Sequence, residues 1–496
     1  MPRWSRRVVA AAAVSALAAA GCSPPATKAR PTPTSSPGMS SPASAGLRQG
    51  TEGPGASTLQ PGLRSGGATS KGVTDRSVTV AFHWNRDGCG SSVSQVLGGF
   101  GSRPQDAVEA YVDWVNAHAT GATMNGLPIN LHGRRIRPVF TATGGADPAC
   151  AAVSRAGAIT MTREQRAFAA VSSTLSGDED AVAPLVAQNG TLHFGAAYQP
   201  ESFYARHHPY LWAPYATGSV TVAHLAAYVR DRLAQGGPPG HTRYDGKRVF
   251  GLVHPDTATG RALAAELTAA LAPVRIAERV GYRAEVASAD AQATAAIARL
   301  RDADVNTVLM LTDPVAPVVL ANVAQRQQWS PDYVVSSYGY LDTGRTAVNF
   351  DLAQWRHAFG VSDFGAALQA SGTEAQGLDY YRAYVEARPG STPPGDAALW
   401  WQTIAQLAWA LTVAGPDLTP STVAAGLTDK LVGTSATGAR IDVLPGRHGL
   451  VDDFGLVRYD PAAVDPRDEP NLFGRRRGKF VFYEGADRRY RTGERL

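Results

Sequence analysis

The residues best suited to hold a small molecule lie in a row after a short apolar run. Ser172, Ser173 and Thr174 follow the apolar residues 167–171, and each hydroxyl can both donate and accept a hydrogen bond. A Gly turn, a helical stretch to Gln188 and an extended stretch at 191–197 come next, which reads as strand, turn, helix, strand. Ser176 with Glu179 three residues on fits a capping box, which starts the helix there with Asp178 and Asp180 in its first turn. The hydroxyls then sit where the free amides of a helix start point outward. In an open parallel sheet, ligands bind outside the carboxyl ends of the strands. A well-capped turn that binds nothing has the same residues, so the rest of the chain must decide.

Spacings typical of enzymes are absent from the sequence. It has no nucleophile-elbow serine, no zincin pair, no P-loop and no calcium loop. His207 and His208 are adjacent and cannot face one site from a regular strand or helix, which leaves them as solvated side chains. The sequence indicates no catalytic residue, metal site or cofactor.

With 496 residues, 44% hydrophobic and 18% charged, the chain has ordinary globular composition and room for two or three domains. Residues 1–22 stand apart. Arg3, Arg6 and Arg7 precede an uncharged, Ala-rich run too short to span a bilayer, as in a signal peptide. It ends in Ala19, Ala20, Gly21 and Cys22, which resembles a lipobox whose cysteine is acylated, although Leu17 lies two places further upstream than the usual Leu. Ser5, Arg6 and Arg7 also resemble a twin-arginine signal, so the export route stays open between that and the general one. An ordinary cleaved signal with an incidental cysteine is the alternative. Residues 23–72 are rich in Pro, Ser and Gly and read as a disordered tether. Residues 397–413 are too interrupted, by Gln402, Thr403 and Gln406, for a membrane span. The net charge of +5 gathers densely only at Arg475, Arg476, Arg477 and Lys479, with no nucleic-acid-binding motif, so no nucleic-acid partner is expected.

From Val73 strand and helix signals alternate. Strand 77–84 leads through a Gly-rich loop to helix 104–116; 129–131 and 135–143 read as a hairpin entering the second strand, and Asp147 opens the second helix. Residues 209–215 are extended, and after helix 219–233 the pattern restarts. Strands are expected at 248–253, 274–282, 307–311 and 333–337, with helices at 260–271, 289–301 and 317–328 between them. Residues 345–365 look irregular. Helices 373–387 and 397–413 and one opened by Pro420 follow, then strands at 440–443, 455–459 and 479–483.

This order of elements resembles the type I periplasmic binding protein fold, in particular the branched-chain amino acid and amide-binding solute receptors of ABC importers. Local motifs agree: Val73, Thr74 and Asp75 before the first strand, residues 111–116 at the first helix end, and Gly133 to Ile136 entering the second strand. The resemblance implies an α/β fold with two doubly wound parallel-sheet lobes joined by a multi-strand hinge. Lobe 1 is expected to hold 73–212 and 344–436, lobe 2 213–343 and 437–496. It implies a lipid-anchored, extracytoplasmic, monomeric solute-binding protein that closes on a small polar ligand, amino-acid or amide-like, and delivers it to an ABC permease. A sensor lipoprotein with a degenerate pocket and an exported hydrolase are the alternatives.

Ligand contacts in the resembled family come from strand ends of both lobes. By position these are Trp84, then Ser172, Ser173 and Thr174, then Ala196, Ala197 and Tyr198 in the first lobe, with Thr259, Asp313 and Tyr338 in the second. Thr259 stands where an aromatic residue often meets the ligand. Asp313 would pair with an ammonium group or cap the helix before Pro314, and Trp84 and Tyr338 would cover the ligand or pack the lobes. Residues 178–180 are acidic and oppose a ligand carboxylate, which leaves the ligand's charge open. With Cys22 acylated, Cys89 and Cys150 remain. The resemblance makes their strands sheet neighbours and implies a disulfide between them.

Overall fold

The computed structural model describes residues 65–85, 104–144, 150–172, 181–236, 244, 247–364, 373–434, 439–464, 477–485 and 488–496. Cys22, Cys89, Ser173, Thr174, Ser176, Glu179 and the signal peptide lie outside the described residues.

Five parallel strands build the first lobe: β1 (Ser77–Asn85), β4 (Arg135–Thr143), β5 (Ala169–Ser172), β6 (Leu192–Phe194) and β7 (Leu211–Trp212), in the order β4-β1-β5-β6-β7. Strands β2 (Thr120–Met124) and β3 (Leu127–Asn130) pair only with each other. Residues 129–131 therefore belong to a separate ribbon and make no hairpin with β4, which pairs in parallel with β1. One face of the sheet packs on α1 (Pro104–Ala117) and on late helices. The other meets α2 (Ala151–Ile159) and α3 (Ala183–Gln188). Val182 precedes α3 with no side-chain cap, and the expected capping box of Ser176 and Glu179 lies outside the described residues.

After α4 (Glu201–Arg206) and β7 the chain crosses to the second lobe and enters α5 (Gly218–Asp231), capped by Thr217. Its sheet continues with β8 (Phe250–Pro255), α6 (Ala258–Ala270), β9 (Ile276–Tyr282), α7 (Ala289–Asp302), β10 (Thr307–Met310), α8 (Ala316–Arg326) and β11 (Asp332–Val335). Short helices α9 (Gly344–Ala347) and α10 (Leu352–Trp355) then lead to β12 (Ala358–Ser362). The parallel order is β9-β8-β10-β11-β12, which repeats the order of the first lobe. Each sheet thus has a switch point at its first strand, β1 or β8, where a crevice opens at the strand ends.

Residues 344–364 were expected in lobe 1 and lie in lobe 2. Strand β12 is wholly buried and pairs with β11, and Gly360 lets the two backbones meet, since a Cβ there would come within 2.0 Å of the Val335 carbonyl. The chain then returns to the first lobe with α11 (Thr373–Gln376), α12 (Asp379–Ala387), α13 (Ala397–Ala414) and α14 (Pro420–Lys430). Helix α13 is buried almost all round because it lies between the sheet, α1 and α14. Its polar residues pin the hinge: Gln402 and Gln406 donate to the carbonyls of Pro214 and Ala213.

The ribbon of β13 (Val432–Thr434) and β14 (Arg440–Asp442) leads to Val443, Leu450 and Val451, which pack in the first lobe's core and not the second's. Only then do β15 (Asp453–Val464), β16 (Arg477–Phe482) and β17 (Tyr490–Arg491) join the second sheet in antiparallel pairing. Ala213 bridges Gly449, so the first and third crossings run side by side. The end of the expected tether is also tied down. Gly66 donates to Pro416, Thr69 to Leu418 and Lys71 to Asn189, so 65–72 belong to the folded part.

Candidate ligand site between the lobes

Strand β5 ends at Ser172, fully buried, with an Oγ that has no hydrogen-bond partner among the described residues. Gly195, at φ 127°, runs against it: a Cβ there would come within 2.4 Å of the Ser172 Oγ. This close approach needs a glycine. The chain then passes through Ala197 to Tyr198, which takes a left-handed φ of 57° and buries its ring at the lobe boundary.

From the second lobe a turn over Tyr338–Tyr340 meets that ring. Gly339, at φ 62°, permits the turn, because a Cβ would lie 2.3 Å from the Thr312 carbonyl at the end of β10. The Tyr198 ring centroid lies 5.3 Å from that of Tyr338 and 5.6 Å from that of Tyr340. Tyr215 of the first crossing and Phe364 at the second complete the cluster, 4.9 Å apart, with Phe364 stacked on Tyr340 at 5.3 Å. The hydroxyls of Tyr198 and Tyr215 are buried without a partner among the described residues. Burial pushes both phenols well above their ordinary range, so both remain protonated and able to donate.

Asp342, two residues after Tyr340, is fully buried. Ser337 donates to its Oδ2 at 2.9 Å, and the same Ser337 oxygen accepts from the Asp363 amide at 2.7 Å. Burial pushes the Asp342 carboxyl up to about 7, against the pull of hydrogen bonds from Ser362 and Ser337, and the charge of Asp363 adds to the rise. Asp363 itself is held by Thr221 and by His224, whose Nδ1 lies 2.6 Å from it.

The fold brings Ala197, Tyr198 and Tyr338 together in this cluster, and sets Ser172 beside Gly195, just upstream of Tyr198. The other expected residues go elsewhere. Trp84 packs on Phe140 in the first lobe at 5.8 Å, and Ala196 supplies its carbonyl to Tyr204. Thr259 donates to Gln199 across the lobes at 2.8 Å. Asp313 is not the N-cap of α8, which is Val315 with no side-chain cap; it lies two residues ahead and accepts from the amides of Val315 and Ala316 on one oxygen and from the Tyr282 hydroxyl on the other. Those bonds engage its carboxylate locally, because the bare amides entering the helix stand within reach. Sequence reasoning missed Tyr215, Tyr340, Asp342 and Phe364, although the Tyr338, Gly339, Tyr340 doublet after a strand was a visible signal for one of them. Cys150 precedes α2 and is disulfide-bonded.

Among the described residues no group of three His, Cys, Asp or Glu side chains could hold a metal ion, and no helix is long and apolar enough to cross a membrane.

Comparison with known proteins agrees with this architecture. A family model described as periplasmic binding protein matches residues 93–463. A search of curated proteins gives no match. Among solved structures, the branched-chain amino acid transporter substrate binding protein LivJ from Streptococcus pneumoniae, in complex with isoleucine, is 13% identical with a TM-score of 0.55, covering 82% of this chain and 99% of its own. A fatty acid ABC transporter substrate-binding protein from Thermomonospora curvata is 15% identical with a TM-score of 0.54, over 84% and 93% of the two chains. An ABC transporter solute binding protein from Rhodopseudomonas palustris, in complex with 3,4-dihydroxy benzoic acid, is 13% identical with a TM-score of 0.54, over 78% and 94%. With three quarters of its length matched by the family model, and with two doubly wound lobes and three crossings, the chain belongs to the periplasmic binding protein family in its type I form.

Proposed function

We propose that this is a lipid-anchored, extracytoplasmic solute-binding protein that captures a small ligand between its lobes and hands it to an ABC permease, acting as a monomer without catalysing a reaction. The supporting observation is the tyrosine cluster at the lobe boundary, where Tyr198 and Tyr215 bury hydroxyls that no described protein group satisfies. Structural neighbours that hold isoleucine or 3,4-dihydroxy benzoic acid support a ligand of this size. Acylation at Cys22 and the Pro/Ser/Gly-rich segment after it would keep the protein at the membrane surface. Native mass spectrometry of gently purified protein should reveal a bound small molecule that leaves on denaturation. Cys22→Ser should move the protein from the membrane fraction to the medium, and an unlipidated, soluble wild type would remove the anchor from this reading.

A second reading has its own observation. The rings of Tyr338 and Tyr340 both pack on that of Tyr198 and Thr259 bonds Gln199 directly, which suits a sensor whose pocket is filled by its own side chains. Absence of any releasable ligand, with unchanged melting over a broad metabolite panel, would favour it.

A further inference from the structure

The lobe boundary offers aromatic faces and negative charge. Tyr198, Tyr215, Tyr338, Tyr340 and Phe364 form one connected cluster, with ring centroids 4.9 to 6.4 Å apart. Asp342 and Asp363 stand close enough for their charges to act on the Tyr198 hydroxyl. Aromatic faces attract cations through their quadrupole, most strongly where water is excluded.

Among the described residues, the cationic side chains and the helix starts at this boundary are already engaged. The amides opening α8 face the Asp313 carboxylate. Thr257 caps α6, and Thr217 caps α5 while donating to Glu201. Arg489, the guanidinium beside Asp363, gives its two Nη groups to Asp453 and to the carbonyls of Asp363 and Phe364, and its charge is paired with Asp453 at 2.7 Å, while its buried Nε has no partner among the described residues. His224 is bonded to Asp363 and Thr492. A carboxylate placed here would meet two acids, and the described cation beside them, Arg489, already has its charge paired with Asp453.

We propose, building on the solute-binding reading, that the ligand is an organic cation: a protonated amine on an aromatic or apolar body, with no carboxylate. The ammonium lies against the tyrosine faces on the Asp342 side and the body lies among the rings. The buried Tyr198 and Tyr215 hydroxyls, 9% and 5% exposed as residues, serve the ligand's polar substituents. Asp342 ties binding to pH. A cation beside its carboxyl favours the ionised form, so binding expels a proton below about pH 7 and affinity rises with pH through that range. The groups facing Asp342 include Ser337, Ser362, Asp363 and Tyr198.

Two matched sets test this on the full chain by titration calorimetry: tyramine, tyrosine and 4-hydroxyphenylacetate, and isopentylamine, leucine and 4-methylpentanoate. The amine of at least one set should bind about tenfold or more tighter than its carboxylate-bearing partners, and about tenfold tighter at pH 8 than at pH 6. Asp342→Asn should abolish the pH dependence, and Tyr338→Ala, at a half-buried ring, should weaken the amine while circular dichroism and cooperative melting stay native. Equal or tighter binding of an amino acid or acid overturns the cation assignment and leaves the solute-binding reading intact. Binding by no member of either set, in natively folded protein, also overturns the assignment. The solute-binding reading falls only if native mass spectrometry in addition finds no releasable ligand.

Discussion

The hydroxyl of Thr259 donates to Oε1 of Gln199 at 2.8 Å, joining the start of a second-lobe helix to the segment after β6 in the first lobe. A position expected to touch ligand touches the opposite lobe. Removing the donor while keeping the shape, as Thr259→Val does, should loosen the lobes. A neutral hydrogen bond nets about 1 kcal/mol, so the joined arrangement should lose about fivefold in population. Small-angle scattering of the ligand-free variant should show a larger radius of gyration than the wild type, and identical profiles would mean the bond does not hold the lobes together.

Gly195 and Ser172 form a close contact in the first-lobe site. Gly195→Ala adds a Cβ at 2.4 Å from the Ser172 Oγ and forces an alanine to φ 127°, so roughly 1–3 kcal/mol of stability should be lost. Ser172→Ala should cost less than about 0.5 kcal/mol or even stabilise, since its buried oxygen has no described partner to lose. Urea midpoints of the two variants read this directly. A large loss in Ser172→Ala would show that the hydroxyl has a structural role.

Asp342 should make stability fall as pH rises. Its carboxyl is raised from an ordinary 3.8 to about 7, so the folded protein binds this proton more tightly than the unfolded chain does. The stabilisation is full below about pH 4 and is lost progressively up to about pH 7, by as much as about 4 kcal/mol as an upper bound. Asp342→Asn mimics the neutral form. It should match the wild type in urea melts at low pH and exceed it at pH 8, and a pH-independent difference between the two would contradict the assignment.

The alternation that predicts the fold is legible because each lobe repeats one unit: an apolar strand, a turn and an amphipathic helix. Strands β1, β4, β8 and β10 and helices α1, α6, α7 and α13 fall within a few residues of their expected bounds. Strand β12 was not legible. Its sequence, Ala358, Phe359, Gly360, Val361 and Ser362, is short and mixes small and polar residues, and only pairing with β11 and β15 makes it a strand. Lobe boundaries fail for the same reason, since which sheet a late segment joins is a long-range contact. Tyr198 and Tyr338 were identifiable as aromatics after strands, but Tyr215 lies in the first crossing and Asp342 in the segment between β11 and α9, where no strand-end rule picks them out. Asp313 shows the converse: its type suggested an ammonium partner, and local helix amides claimed it.

Cys150 is disulfide-bonded, and Cys89 is the expected partner because Cys22 is the residue proposed for acylation. Closing that loop would contribute up to about 4 kcal/mol by the chain-entropy estimate. Non-reducing peptide mapping should yield a Cys89–Cys150 cross-linked pair, and reduction should lower the melting temperature. A Cys22–Cys150 peptide would overturn both the pairing and the anchor.

Glu201 ties the hinge together. Its Oε1 lies 2.6 Å from Nδ1 of His448, its Oε2 accepts from Thr217 at 2.8 Å, and its amide donates to Ser219 at 2.9 Å. One first-lobe residue thus holds the first and third crossings and the start of the second-lobe helix α5. His448 is walled by Tyr204 and Trp212, and the exposed His208 reaches its Nε2 at 3.2 Å, giving that histidine a partner beyond solvent. Within a half-buried site a charge-assisted bond is worth about 1.5–3 kcal/mol, more than a neutral one. Glu201→Gln keeps the shape and one hydrogen bond but removes the charge, so it should lower stability by about 1–2 kcal/mol. Glu201→Ala should cost more, because His448 and Thr217 then lose their acceptor. Hydrogen exchange should localise the effect to residues 213–217 and 448–451, the paired crossings, while the amides of β8 and β10 keep wild-type protection. Uniform loss of protection across both lobes would show that Glu201 supports the global fold and has no special hold on the hinge.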